Sequence, residues 1–163
     1  MILYQSGDIT VKLEERNNNT RGKFRNFSRQ VAGEVFDVPE NNQVIFAYKT
    51  QYTNLVQTGQ MCFSCANLNM KNPETLFDSE YYPQVAFLFV HRDFHCQGFG
   101  KLLLSEGLKI IKTMSGDRPV RLQSAWNAVG FFEKFGFHMV AKPFETMHGG
   151  SNLFKFMVNM EMS

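Results

Sequence analysis

The residues with the most chemistry in their type and spacing are His95-Cys96-Gln97-Gly98-Phe99-Gly100-Lys101, between an apolar run at 85–90 and a leucine-rich stretch. A buried strand, a polar turn, a glycine loop and a helix follow one another here. Amides at a helix N-terminus have no intrahelical partner, and glycine lets a ligand come close to the backbone. The chemistry implied is the holding of an anionic oxygen, and the working expectation is a coenzyme pyrophosphate.

Two nucleotide patterns fail on the residues. The dinucleotide fingerprint needs G-x-G-x-x-G, and Leu103 stands at its third glycine. The Walker loop needs G-x-x-x-x-G-K-[ST], and Gly100-Lys101 lacks both the earlier glycine and the following hydroxyl. Cys62 and Cys65 form a C-x-x-C, but no second pair follows at ligand spacing, so they are expected to be buried thiols. A metal at His91, His95 and Cys96 would put the wrong chemistry into an anion-binding loop, and no metal is expected.

The elements that must position this loop can be read from periodicity. Residues 8–14 alternate as a strand, with Ile9, Val11 and Leu13 on one face. Thr20 is expected to cap a helix carrying Phe24, Phe27, Val31 and Val35, closed by Pro39. Strands are expected at 43–50 and 61–70, with a hairpin loop at 52–60 and a polar loop at 72–83. The run at 85–90 reads as a strand covered on both faces. The next helix has Leu104, Leu108 and Ile111 on one stripe, with Leu103, Gly107, Ile110 and Met114 beside it, and stops near Ser115-Gly116. A strand at 120–124, a helix at 125–135, a strand from Phe137, a turn at Gly149-Gly150 and a last strand at 153–160 complete the order. On that last strand Phe154, Phe156, Val158 and Met160 should share a face. No repeat or linker divides the chain, so a single domain over 1–163 is expected.

With these elements in place, two motifs resemble one family. The run from Val90 through His95 to Gly100 resembles the acetyl-CoA signature of the GNAT N-acetyltransferase superfamily: Gln or Arg, two residues, Gly, one residue, then Gly or Ala. Downstream, Ala128-Val129-Gly130-Phe131-Phe132-Glu133-Lys134-Phe135-Gly136-Phe137 resembles its second motif, A-x-x-F-Y-E-K-x-G-F. The motifs come in the family's order, one helix and one strand apart. The resemblance implies an α/β (α+β) fold with a mixed, splayed central sheet and helices on both faces. It implies acetyl-CoA as co-substrate and transfer of the acetyl group to a primary amine by direct attack. Carried over by position, the main chain of Leu88, Phe89 and Val90 would pair with the pantetheine arm. The amides of His95, Cys96, Gln97, Gly98, Phe99, Gly100 and Lys101 would hold the pyrophosphate, and Asn127 and Phe132 would lie against the pantetheine or the thiol end.

The chain departs from that pattern at points that bear on catalysis. His95 stands where Gln or Arg is usual, and Phe132 where a tyrosine often protonates the leaving thiolate. Gln84 lies near the place where one branch carries a glutamate base. Tyr82 and Ser124 are the remaining candidates for polar help, and a non-catalytic acyl-CoA-binding or interaction module is the alternative reading. A thioester is already activated, so alignment of an amine against it supplies much of the acceleration.

Composition sets the remaining bounds. A chain 44% hydrophobic and 20% charged, with 17 phenylalanines, folds around an aromatic core and is not disordered. A formal charge of +2 does not argue for nucleic acid. Arg21, Lys23, Arg25 and Arg29 lack interleaved aromatics and read as a solvated helix face. No apolar stretch approaches the roughly 20 residues of a membrane span, and Met1-Ile2-Leu3-Tyr4 gives way at once to polar residues. Three cysteines do not form a disulfide framework, so a reducing, cytoplasmic setting is expected. The expected partners are acetyl-CoA and an amine acceptor, with no membrane, and the protein as monomer or homodimer.

Overall fold

The computed structural model describes residues 1–146 and 156–163. The fold is mixed α+β, with nine mostly antiparallel strands and three α-helices among the described residues. It resolves into two compact units: residues 1–64 with 86–110, and residues 65–85 with 111–163.

The first unit contains β1 (Ile2–Ser6), β2 (Ile9–Glu14), α1 (Asn18–Ala32), β3 (Gln43–Gln51), β4 (Asn54–Ser64), most of β5 (Gln84–Val90) and most of α2 (Phe99–Ser115). Its strand order follows the chain, with β1–β2, β2–β3 and β3–β4 antiparallel. Phe24 of α1 packs on Val44, Phe46, Tyr48 and Cys62, with Phe36, Ala86 and Phe87 at the margin of that cluster. Neighbouring residues of β4 face opposite ways. Gln60 turns to α1 and donates from Nε2 to the Phe24 carbonyl at 3.0 Å, while Met61 packs against Gly107 of α2. Helices therefore cover both faces of this part of the sheet. Ala47 pairs with Gly59 and Tyr48 with Gln57, which leaves Thr58 as an extra, bulged residue on β4.

The second unit holds the start of β5, then β6 (Val120–Ala125), a 3-10 turn at Trp126–Ala128, α3 (Val129–Glu133), β7 (His138–Met139), β8 (Phe144–Glu145) and β9 (Phe156–Met162). Here β6 lies between β5 and β9, and both β7 and β8 pair with β9. Gln84 and Val85 run parallel to Arg121 and Leu122, and the β9 pairings are antiparallel. Residues 65–83 form neither strand nor helix. Arg118 ties that loop down by donating to the carbonyls of Asn67 (2.8 Å), Tyr81 (3.1 Å) and Met70 while its guanidinium lies over the Tyr81 ring.

Several boundaries differ from the sequence expectation. The cap of α1 is Asn17, whose extended backbone lets its side-chain Oδ1 accept from the Thr20 amide at 2.9 Å. Thr20 is instead buried one turn in, donating to Glu15. The helix stops at Ala32, because Gly33 takes the left-handed conformation and its amide returns to Arg29. Val35 is thus outside the helix and exposed. The stretch expected as a hairpin loop is the first half of β4: the turn is only Tyr52-Thr53, and the strand ends at Ser64 rather than Met70. Met114, beside the α2 stripe, and Phe156, at the start of β9, are exposed. The helix expected at 125–135 is a 3-10 turn followed by a short α-helix. The Gly149-Gly150 turn, Phe154 and the expected start of the last strand lie outside the described residues.

The cysteines are all free, with Cys62 buried, Cys65 half-buried and Cys96 exposed. Burial pushes the Cys62 thiol up to about 12 and raises that of Cys65 as well. A stopped thiol titration of the native protein should therefore label Cys96 first and leave Cys62 unlabelled until denaturant is added. Early labelling of Cys62 would contradict this core.

Candidate active site

The last residues of β5 and the start of α2 belong to the first unit, and the loop between them is tightly specified. The His91 amide donates to the Thr58 carbonyl at 2.8 Å, fixing the end of β5 on β4. Alternate residues of a strand turn their main-chain groups to the same edge. Phe89 therefore faces β4 like His91, and a Cβ on Gly59 would lie 2.8 Å from its carbonyl oxygen, so only glycine permits this approach. Leu88 and Val90 turn their main-chain groups to the opposite edge. The Val90 carbonyl already accepts from His95 Nε2 at 2.8 Å.

Beyond β5 the chain makes a 3-10 turn at Arg92–Phe94, then passes Cys96 at φ +61° and Gly98 at φ +86°. Both are left-handed, which suits glycine and strains cysteine. Phe94 and Phe99 are buried edge to face, 5.9 Å apart, and anchor both ends of the loop in the core. The Leu102 amide closes the first helical turn on the Gly98 carbonyl at 2.9 Å. The amides of Phe99, Gly100 and Lys101 precede that bond and open from the helix N-terminus. His95, Cys96, Gln97, Gly98 and Lys101 are solvent-exposed around them. Gln97 is held on both sides, donating to the Asp93 carbonyl at 3.3 Å and accepting from Lys49 Nζ at 3.4 Å. Lys49 was invisible as a loop residue in the sequence, because it comes from β3, 48 positions earlier. The loop thus presents amides, a glycine and lysine charge, a set suited to phosphate oxygens.

The other sequence candidates lie in the second unit. Tyr82 is half-buried, and the Arg121 guanidinium sits 4.1 Å from its ring centroid. Ser124 is 1% exposed and its hydroxyl donates to the Ala125 carbonyl at 2.8 Å. Asn127 is exposed on the 3-10 turn after β6. Phe132 is buried, with ring contacts to Phe131 at 5.1 Å and Phe137 at 5.8 Å. Among the described residues, no group of three or more His, Cys, Asp and Glu is disposed to hold a metal. No helix among them is long and apolar enough to cross a membrane.

The first unit has a further concavity of about 310 Å³, lined by Lys23, Asn26, Phe27 and Gln30 of α1 and by Val56 and Gln57 of β4. Lys23 donates to the Tyr48 hydroxyl, and its ammonium lies 4.4 Å from the Tyr48 ring and 4.9 Å from the Phe46 ring. The Tyr48 hydroxyl in turn lies 3.3 Å from Glu14 Oε1. Burial pulls the Lys23 ammonium below the usual lysine range, while burial and the neighbouring Glu14 carboxylate hold the Tyr48 phenol well above its own. Phe27 also meets the His91 ring at 6.4 Å, so the concavity adjoins the end of β5. Sequence reading missed Gln57 because it fell in the supposed hairpin loop.

Comparison with known proteins agrees with this picture. Residues 74–150 match the family model described as acetyltransferase (GNAT) domain. No curated protein matches the chain at a significant level. Among solved structures, the chain is similar to the ribosomal-protein-S18-alanine N-acetyltransferase from Escherichia coli. That match has a TM-score of 0.64 and 12% identity, and covers 93% of this chain and 92% of the other. It is also similar to Arabidopsis thaliana Naa50, solved in complex with the bisubstrate analogue CoA-Ac-MVNAL. There the TM-score is 0.62 at 14% identity, with 94% and 98% covered. An acyl-CoA N-acyltransferase from Pseudomonas aeruginosa gives a TM-score of 0.63 at 13% identity, with 96% and 99% covered. At these identities the likeness is one of fold.

Proposed function

We propose that the chain, whose residues 74–150 match the acetyltransferase (GNAT) domain model, is a GNAT-type enzyme that transfers the acetyl group of acetyl-CoA to a primary amine by direct attack. The observation that carries the proposal is the passage from β5 through Gly98 into α2. It combines left-handed backbone at Gly98, open amides at Phe99, Gly100 and Lys101, and buried anchors on either side. The pyrophosphate is assigned to the amides of residues 96–101, since the His95 amide, expected to join them, donates to the Arg92 carbonyl at 3.2 Å, with Lys49 and Lys101 supplying positive charge. The pantetheine arm is assigned to the edge of β5 away from β4. Leu88 contributes both main-chain groups there and Val90 its amide, whereas Phe89 supports the strand by facing β4.

In the reaction the amine nitrogen forms a bond to the acetyl carbon, the carbon–sulfur bond breaks, and CoA leaves as thiolate. One proton of the attacking amine is lost to water or a base, and the thiolate is protonated. Phe132 has no proton to give, and the Ser124 hydroxyl is engaged with Ala125. Of the two sequence candidates Tyr82 keeps its hydroxyl for this role, and alignment of the reactants carries most of the rate. A soluble cytoplasmic setting fits an enzyme that draws on free acetyl-CoA.

Calorimetry with acetyl-CoA and CoA, followed by release of free CoA thiol across an amine panel, tests the proposal. Micromolar binding of both and thiol release with at least one amine are expected. Failure to bind either coenzyme would overturn it.

A further inference from the structure

We propose that the His95 side chain contacts the bound pyrophosphate as an imidazolium, so that coenzyme affinity falls as pH rises. The inference rests on the transferase reading and concerns how the same site holds its coenzyme. The His95 amide is engaged by the Arg92 carbonyl, which leaves the ring as the part of this residue with a donor to offer. Nε2 lies 2.8 Å from the Val90 carbonyl, on the edge of β5 assigned to the pantetheine arm. A carbonyl oxygen only accepts, so Nε2 carries the hydrogen. The neutral ring therefore keeps a bare lone pair at Nδ1, which has no hydrogen-bond partner among the described residues. Nδ1 is the ring nitrogen nearer its own main chain, where the amides of residues 96–101 begin. The ring thus bridges the end of the pantetheine edge and the start of the pyrophosphate loop.

A lone pair turned to a phosphate oxygen repels it. Protonation keeps the bond to Val90 and makes Nδ1 a charged donor, the stronger kind of hydrogen bond. Histidine is the side chain that changes charge in the range of about pH 5 to 8. Lys49, which reaches the loop from β3 through Gln97, and Lys101 on α2 oppose a proton on the ring of the free protein, as does Arg92 on the 3-10 turn. Asp93 favours it, but that carboxylate is 71% exposed and lies 3.6 Å from His91 Nδ1. Strand β5 brings no titratable side chain, and Cys96 is exposed. A bound pyrophosphate adds negative charge where the lysines and arginine add positive, so binding takes up a proton. Affinity is therefore highest where the ring is protonated and is lost as pH rises.

The test is calorimetry of CoA binding to the full chain and to His95→Gln between about pH 5.5 and about pH 8. Glutamine donates to Val90 without titrating, and comparison of the two proteins cancels the titration of the 3′-phosphate of CoA itself. The ratio of wild-type to variant affinity should fall about tenfold across that range, the worth of one charge-assisted hydrogen bond. By reciprocity, saturating CoA should raise the pH midpoint of the His95 ring, read from its Cε1 proton by NMR on the wild type. A thermal melt of both proteins checks the fold, and the NMR reading needs no variant. The same pH slope in both proteins, or a His95 midpoint unmoved by CoA, would overturn the inference. Failure of the wild type to bind CoA at any pH would overturn the transferase reading and this inference together, whereas binding that ignores His95 would count against this inference alone.

Discussion

Gly98→Glu is expected to weaken acetyl-CoA binding about a hundredfold or more, with the fold retained. Gly98 sits at φ +86°, and a Cβ built there meets no atom within 4 Å. A side chain therefore finds space but must adopt a left-handed backbone, at a cost of roughly 1–2 kcal/mol. Glutamate adds a negative charge beside the amides assigned to the pyrophosphate. Two like charges about 4 Å apart near a protein surface repel by up to about 4 kcal/mol, and about 2.7 kcal/mol is a hundredfold in affinity. Gly98→Ala separates the two effects, because it carries the backbone cost without the charge. Both variants should lose similar thermal stability, while only the glutamate variant should lose most of its affinity. Calorimetry and a thermal melt on the three proteins decide this, and undiminished affinity in Gly98→Glu would place the pyrophosphate elsewhere.

Arg121→Leu should destabilise the second unit by about 3–5 kcal/mol, the usual cost of removing one partner from a buried ion pair. Arg121 and Glu161 stand opposite each other on β6 and β9. Arg121 Nη2 lies 2.6 Å from Glu161 Oε2, and the two side chains are only 7% and 16% exposed. The same guanidinium donates to the Leu76 carbonyl at 2.7 Å and packs over the rings of Tyr82 and Phe77. Leucine leaves the Glu161 carboxylate without its cation, and the loop loses an anchor. The double variant Arg121→Leu with Glu161→Leu removes both charges and should recover much of the loss, since an apolar pair of similar volume is often no worse than the ion pair. Urea denaturation of the single and double variants gives the energies, and limited proteolysis within residues 65–83 reports on the loop. A single variant within about 1 kcal/mol of the parent would show the pair to be energetically idle.

What could be read from the sequence follows from how local each signal is. The strand at 84–90, the glycine loop and α2 are contiguous, and their order is itself the pattern of the site, so loop and family were both legible. The first half of β4 was not. Thr58 and Gln60 are fully buried polar residues, and Gln60 is satisfied by the Phe24 carbonyl 36 positions away. In sequence they look like a solvated hairpin. Strand β1 escaped because it is short and mostly exposed, so no alternation marks it. In Asn17-Asn18-Asn19-Thr20 any residue has a capping side chain, and the backbone angle at Asn17 decides among them. That Leu88 and Val90 share an edge while Phe89 turns away depends on the pairing of His91 with Thr58, which no spacing within β5 reveals. Lys49 and Gln97 meet for the same kind of reason, through the order of strands.

Arg118 and Arg121 hold residues 67–82 by their carbonyls, and every amino acid supplies a carbonyl. Exposed positions such as Asn69, Lys71, Glu74 and Ser79 can therefore change identity without disturbing those bonds. The loop's shape is held by these two arginines and, from within, by Asp78, which accepts from the Glu74 and Glu80 amides, while the exposed positions just named are free to drift. Such a segment is mutable at little cost in stability, which is the condition under which an enzyme lineage can try new substrates without first losing its fold.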